Sequence, residues 1–308
     1  MILPDTENAC GGTDGTNPAA PPKHLYAIVG SPVGHSISPV LHGWGYAVSG
    51  HPGAYFAFDK SAAELPAFIA AVRSLPLAGV SVTIPHKEAV IPLLDGLTDR
   101  ARAVGAVNTL FWDKGILVGD NTDCFGFTAP LTKEHPARNA SLPPLPDQAF
   151  VLGAGGACRA VLAGLRSLGV RGIRLCARNP EKTASLAGTF SCTPTGWKER
   201  NAALADLGPC LVVNTTPLGM SGTYADESPL EPGAFAALRC PADSIAYDIV
   251  YTPRETPFLR QAKEQGLRTV DGLPFLVAQG LEQFRIWTGI ELDFAEALAF
   301  MERRLHKG

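Results

Sequence analysis

Short apolar runs bounded by glycine, proline or polar residues alternate along the chain with stretches whose apolar residues recur every three or four positions. Residues 25–29 are an apolar run closed by Gly30 and predict a strand. Residues 39–48 fit a helix, with Pro39 in its first turn and Ser38 as its cap. A strand is expected over 54–58, and Leu65, Phe68, Ile69 and Val72 place a helix over 63–72. A buried strand over 79–84 should lead into a helix over 87–94. Strands over 104–112 and 116–119 should flank a turn at Asp113, Lys114 and Gly115. A polar, proline-rich stretch between Leu131 and Asp147 reads as a surface linker. Beyond it, a strand over 149–152 runs into a glycine-rich turn and a helix marked by Val161, Leu162, Leu165 and Leu168. Strands are expected over 173–176, 210–213 and 244–248, and helices over 180–187, 258–265, 275–287 and 294–305.

Alternation of this kind gives parallel sheets with helices on their faces. One such α/β unit precedes the linker and one follows it. The 308 residues agree, at roughly 100–200 residues per domain. With 46 % hydrophobic residues the chain can bury a sizeable core. Its net charge of −3 offers no basic excess for a nucleic-acid backbone, so no nucleic-acid partner is expected. The longest stretch without Asp, Glu, Lys or Arg, 24–58, is broken by glycine, proline, serine and histidine, which rules it out as a spanning helix. Residues 1–23 lack the basic start and apolar run of a signal peptide and are expected to be a disordered tail. The seven cysteines form no CxxC pair, so neither a disulfide scaffold nor a metal site is expected, and the compartment inferred is the cytoplasm.

The turn after residue 152 reads GAGGAC. Glycines there permit a tight turn and let the backbone approach a pyrophosphate at a helix N-terminus; the same pattern also serves as a plain strand-to-helix turn. Cys158 stands where a third glycine is usual. At the end of the next strand there is no carboxylate to hold ribose hydroxyls. Arg178 stands there instead, either as a ligand for a 2′-phosphate, which favours NADP over NAD, or as a surface arginine at a helix start.

Four polar features interrupt the first half. Ser36 and Ser38 precede a helix and are either caps or ligands. Lys87 follows an apolar strand and a proline, as a proton donor or as a solvated residue. Asn108 sits in an apolar strand that disfavours it, so it needs partners. Asp120 and Asp123 lie at a strand-to-helix junction, where a carboxylate caps the helix or touches a substrate. Thr83, Lys87, Asn108 and Asp123 all fall near strand ends, where ligands of open α/β sheets bind, and such a set suits a small polyhydroxy carboxylate.

In their order and joint presence, GSPVGHSISPVLH, GVSVTIPHKE, GAVNTL, GDNTDCFGF, VLGAGGA, VVNTTPLGM, YDIVYTPRETPFL and DGLPFLVAQGLEQF resemble the shikimate dehydrogenase family over about residues 25–289. The resemblance implies reversible NADP-linked reduction of 3-dehydroshikimate to shikimate by a monomer or homodimer. It implies a substrate domain over 24–122 completed by C-terminal helices over 273–308, around a Rossmann-like NADP-binding domain over 123–272. Carried over residue by residue, Ser36 and Ser38 would bind the substrate carboxylate. Thr83, Asn108 and Gln279 would hold ring hydroxyls, with Tyr251 close by. Lys87 and Asp123 would be the catalytic pair. Gly153, Ala154, Gly155, Gly156 and Ala157 would cradle the pyrophosphate, with Arg178 on the 2′-phosphate and Asn179 beside it at the cofactor. Thr215, Ile249 and Gly272 would border the cofactor. Ser38 favours shikimate over quinate, for which a bulkier threonine is associated. The chain departs from the family at Ala177 and Asn179 around Arg178, at Cys124, and at Pro274–Phe275. A quinate-using enzyme, a catalytically silent shikimate sensor and a methylenetetrahydrofolate dehydrogenase are the rival readings.

Overall fold

The structure, a computed structural model, describes residues 22–133 and 135–305. The expectation of disorder over 1–23 therefore falls almost wholly outside the described residues. Two six-stranded sheets form the frame.

The first sheet contains β1 (His24–Gly30), β2 (Gly53–Asp59), β3 (Leu77–Val82), β4 (Gly96–Leu97), β5 (Thr109–Asp113) and β6 (Ile116–Asp120) in the order β2-β1-β3-β5-β6-β4. Helices α1 (Ser38–Ser49), α2 (Leu65–Ser74) and α3 (Asp99–Val104) belong to the same stretch of chain. The sheet is mixed, where alternation alone had suggested a parallel one: β5 runs antiparallel to both β3 and β6. The cause is local. Lys114 and Gly115 take positive φ of 49° and 86°, the backbone of a tight hairpin turn that sends the chain straight back.

The second sheet is parallel throughout and contains β7 (Gln148–Leu152), β8 (Gly172–Ala177), β9 (Thr193–Gly196), β10 (Cys210–Asn214), β11 (Ile245–Asp248) and β12 (Arg268–Val270). Its order, β12-β11-β10-β7-β8-β9, is that of a Rossmann fold, with the reversal between β7 and β10. Around it lie α4 (Thr122–Thr128), α5 (Gly156–Ser167), α6 (Pro180–Phe190), α7 (Arg200–Ala205) and α8 (Pro257–Glu264). Successive residues of β7 feed opposite cores. Val151 packs with Leu162, Val213 and Tyr247, whereas Phe150 and Leu152 pack with Val212, Ala246 and Phe258. Burial on both faces explains why these strands read as unbroken apolar runs.

Two last helices, α9 (Gly272–Thr288) and α10 (Phe294–Leu305), complete the described chain. Asp271 caps α9 by accepting from the Leu273 N–H. The far end of α9 lies on the first sheet, where Trp287 donates its indole N–H to the Leu110 carbonyl at 2.9 Å. The helix thus runs from the edge of one sheet to the face of the other.

Several expectations need correction. No α-helix covers 87–94: the segment is a run of turns followed by a single 3₁₀ turn, Ile91–Leu93, because Pro92 has no N–H to continue an α-helix. The strand expected over 104–112 begins only at Thr109. Val104 ends α3, and Gly105 closes that helix at φ 67°. Ser38 is the first residue of α1 rather than its cap; Ile37 holds the cap position with no side-chain bond. The short elements α3, α7, β4, β9 and β12 carried no apolar periodicity long enough to read.

Gly79 faces the Trp287 indole so closely that a Cβ would collide with it. Gly79→Ala should push the indole off Leu110 and lower stability by about 1–3 kcal/mol, as overpacking does. Thermal unfolding of the variant checks this, and an unchanged melting temperature contradicts it.

Candidate active site

The end of the first sheet at which β3 and β6 finish is also where β5 begins. That topology gathers Thr83, Lys87, Asn108 and Asp123 there. Beyond Thr83 the chain turns, and the Lys87 carbonyl accepts from the Val107 N–H at 2.7 Å. Asn108 precedes β5 yet remains in the ladder, donating its N–H to Asp120 and accepting from Val82. Asn121 caps α4 through a bond from the Cys124 N–H, which sets Asp123 in the first helical turn.

Lys87 Nζ lies 2.5 Å from Asp123 Oδ2, with the two side chains only 13 % and 5 % exposed. Asn108 Nδ2 donates to Asp123 Oδ1 at 2.9 Å and approaches Gln279 Oε1 at 3.4 Å. Gln279 arrives from α9, which packs so tightly on α4 that a Cβ at Gly126 would stand 2.8 Å from Gln279 Cβ. Lys87, Asn108 and Asp123, singled out in the sequence, and Gln279, implied by the resemblance, therefore form one bonded cluster. Asp120 does not join it. Burial would raise its pKa, but hydrogen bonds from Arg100 and Thr98 outweigh that and hold it below the ordinary value.

The remaining polar residues stand apart from this cluster. Ser36 Oγ accepts from the Ser38 N–H at 3.3 Å, leaving the half-buried Ser38 hydroxyl near Tyr55. Thr83 packs against Gly30 at the joint between β1 and β3. Tyr251 is half-buried and packs with the α9 and α10 side chains.

The glycine turn faces the same crevice. Gly153 has φ 114°, and Thr215 occupies the space a side chain would need. Gly155 is the N-cap of α5 with open space around it; no side chain caps the helix and no acid sits in its first turn. The first N–H groups of α5 are thus open to an anion, so this turn fits a pyrophosphate. Cys158 is fully buried in the core behind it, its thiol pushed up to about 12 by burial. Thr215 spends its hydroxyl on the Leu152 carbonyl at 2.8 Å. Arg178 is exposed at the end of β8 in a surface cleft shared with Asn179, Pro180 and Glu181. Asn179 uses Oδ1 to cap α6, accepting from the Lys182 N–H at 2.9 Å. Gly272 meets the carbonyls of Ile249 and Val250 with no room for a side chain.

The two halves meet along α5, where Val104 and Ala106 pack with Ala160. A Cβ on Gly156 would lie 3.5 Å from Lys87 Cδ, so the lysine stem runs along the start of α5. Beside it, Arg159 of α5 pairs with Glu88 at 3.1 Å. Sequence reading missed Thr109, Thr122 and Gln283, which hold Asn108 from behind. A signal existed for one: Gln283 is four residues from Gln279 on the same helical face, in a stretch otherwise largely apolar.

A Rossmann-ordered sheet with an uncapped glycine turn, opposed across a crevice by a buried Lys–Asp pair, defines a two-domain α/β oxidoreductase. Models of known families agree. Residues 28–110 match the shikimate dehydrogenase substrate binding domain, and residues 272–299 match the shikimate 5′-dehydrogenase C-terminal domain. The chain is 48 % identical over 287 residues to shikimate dehydrogenase (NADP(+)) of Oleidesulfovibrio alaskensis, an alignment covering 93 % of this chain and 98 % of that protein. Among solved structures, shikimate 5-dehydrogenase of Thermus thermophilus in complex with NADP(H) and shikimate superposes with a TM-score of 0.76 at 35 % identity, covering 91 % of this chain and 99 % of the other. Quinate dehydrogenase of Corynebacterium glutamicum in complex with NAD gives 0.78 at 28 % identity, covering 91 % and 99 %. The chain belongs to the shikimate dehydrogenase family.

One buried acid near the crevice makes the fold sensitive to pH. Asp248, at the end of β11, accepts from Asn214 Nδ2, the Val250 N–H and the Thr256 hydroxyl. Complete burial nevertheless outweighs these bonds and raises its pKa from 3.8 to about 7. The folded state therefore holds a proton that the unfolded chain releases. The resulting stability is full below about pH 3.8 and is lost as the pH rises through about 7. Melting temperatures of the native protein and Asp248→Asn, followed across this window, should shift steadily in the variant's favour as the pH rises; a constant difference contradicts the assignment.

Proposed function

We propose that this protein catalyses the reversible NADPH-dependent reduction of 3-dehydroshikimate to shikimate, with Lys87 and Asp123 as the catalytic pair. The observation that carries the reading is the 2.5 Å Lys87–Asp123 pair, nearly sealed from water and in contact with the glycine turn. The reaction would stand in the shikimate route to chorismate and aromatic amino acids. The proposed substrate domain is 24–122 with 273–308, around an NADP-binding domain over 123–272.

Bound NADPH supplies the hydride. The chain has to stabilise the alkoxide that grows on the substrate and deliver a proton to it. Lys87, as an ammonium, does both; general acid–base help of this kind is worth about 10²–10⁴-fold. Asp123 holds Lys87 through Oδ2 while Asn108 holds Oδ1, so the carboxylate cannot rotate away. Ser36 and Ser38 bind the substrate carboxylate, and Thr83, Asn108, Gln279 and Tyr251 the ring. Gly153, Ala154, Gly155, Gly156 and Ala157 cradle the pyrophosphate. Arg178 takes the 2′-phosphate with Asn179 beside it, Ile249 and Gly272 border the nicotinamide, and Thr215 backs the glycine turn at Gly153. No helix among the described residues is long and apolar enough to cross a membrane.

Absorbance of the reduced nicotinamide, measured with shikimate or quinate and with NADP or NAD, tests the reading. Turnover should be greatest with shikimate and NADP; none with that pair, or preference for quinate, overturns it. Lys87→Ala should lower turnover by about 10²–10⁴-fold while shikimate still binds. Arg178→Ala should raise the KM for NADP by roughly tenfold or more, the worth of a charge-assisted bond, and leave that for NAD nearly unchanged. Equal effects on both cofactors would remove Arg178 from this role.

A further inference from the structure

Behind the Lys–Asp pair runs a line of buried hydrogen bonds, anchored at two groups of fixed polarity, the Asn108 carbonyl and the Thr122 backbone N–H. The carbonyl can only accept. Gln283 Nε2 must therefore be the atom facing it, at 3.0 Å. The same nitrogen donates to Thr109 Oγ1 at 2.9 Å. The Thr109 hydroxyl sends its own proton to Asn108 Oδ1 at 2.8 Å, because that amide oxygen can only accept. The Thr122 backbone N–H reaches that oxygen as well, at 2.7 Å. Asn108 is thereby turned with Oδ1 away from the carboxylate and Nδ2 toward Asp123 Oδ1. On the far side, Gln283 Oε1 accepts from the Ser81 hydroxyl at 2.9 Å, and Ser81 accepts from Tyr55 at 2.7 Å. The line ends with one Asn108 Nδ2 proton on Asp123 and the other on Thr122 Oγ1 at 2.9 Å. Ser81, Asn108, Thr109, Thr122 and Gln283 are all buried, so water cannot replace a missing link.

We propose that Gln283 and Thr109 are positioning residues for the reaction. From the α9 face of the sheet they fix the Asn108 amide, and through it the orientation of the Asp123 carboxylate. Neither touches Lys87 or Asp123 directly. The proposal rests on the catalytic reading of Lys87 and Asp123 given above.

The test removes the bonds without changing the shape. Thr109→Val keeps the volume and loses the hydroxyl; Gln283→Met keeps the length and loses the amide. Each should lower kcat by about tenfold and leave the KM for NADP within about twofold, because the glycine turn is untouched. Thr109→Ser should restore kcat to within about twofold of the native value. The double variant should be no slower than the worse single one, since both break one line. Thr109→Ala, which adds no bulk, stands in where Thr109→Val fails to fold. A native kcat per correctly folded molecule, with only the melting temperature lowered, reduces the line to a structural role and overturns the proposal. Equal losses for Thr109→Ser and Thr109→Val overturn it as well. Lys87→Ala measured alongside separates the two ideas. If that variant loses turnover while Gln283→Met and Thr109→Val do not, only the positioning role fails. If it retains turnover, the catalytic reading fails and this one with it.

Discussion

The structure turns on one carboxylate removed from water. Asp123 is buried with a lysine as its ion partner, and charges in such a place destabilise a fold unless every lone pair finds a donor. Here Oδ2 takes the Lys87 ammonium and Oδ1 the Asn108 amide. Satisfying both oxygens needs residues from the turn after β3, the start of β5 and the start of α4, with α9 close behind. That requirement accounts for the mixed first sheet. Only an antiparallel β5 can begin where β3 and β6 end, and so bring Asn108 to the same edge as Thr83, Lys87 and Asp123.

The same requirement ties the two sheets into one machine. Lys87 lies along the start of α5, whose first N–H groups have no side-chain cap. α9 begins beside Ile249 and Val250 at the edge of the second sheet and ends with Trp287 on the first. A nicotinamide brought in by the second sheet and a ring held by the first would meet beside one ammonium. A short, dry pair at that meeting point can act on charge that develops only in the transition state.

Much of this was legible in the chain. The buried strands of the second sheet read clearly because apolar runs closed by glycine or polar residues leave few alternatives. Lys87, Asn108 and Asp123 each stood out beside a strand end, whereas Gln279 was marked only by the resemblance to the family. What failed did so for physical reasons. Val104, Ala106 and Val107 are as apolar as a strand, but Gly105 in a left-handed conformation ends a helix there instead. Residues 87–94 have helical spacing, but Pro92 withholds an N–H. Thr109 and Gln283 meet across 174 positions of sequence, and no local pattern announces a partner that the fold supplies from so far away. Asp120 and Asp123 look equivalent in the sequence; only the position of Arg100 shows which of them is already engaged.

In the proposed mechanism Lys87 and Asp123 act as a unit. Single-turnover rates for Lys87→Ala, Asp123→Asn and the double variant, with shikimate binding measured separately at equilibrium, test it most directly. Residues that act together lose their effect once, so the double variant should be about as slow as the slower single one. A double variant whose rate loss equals the product of the two single losses would show that the residues act independently, and would contradict the account.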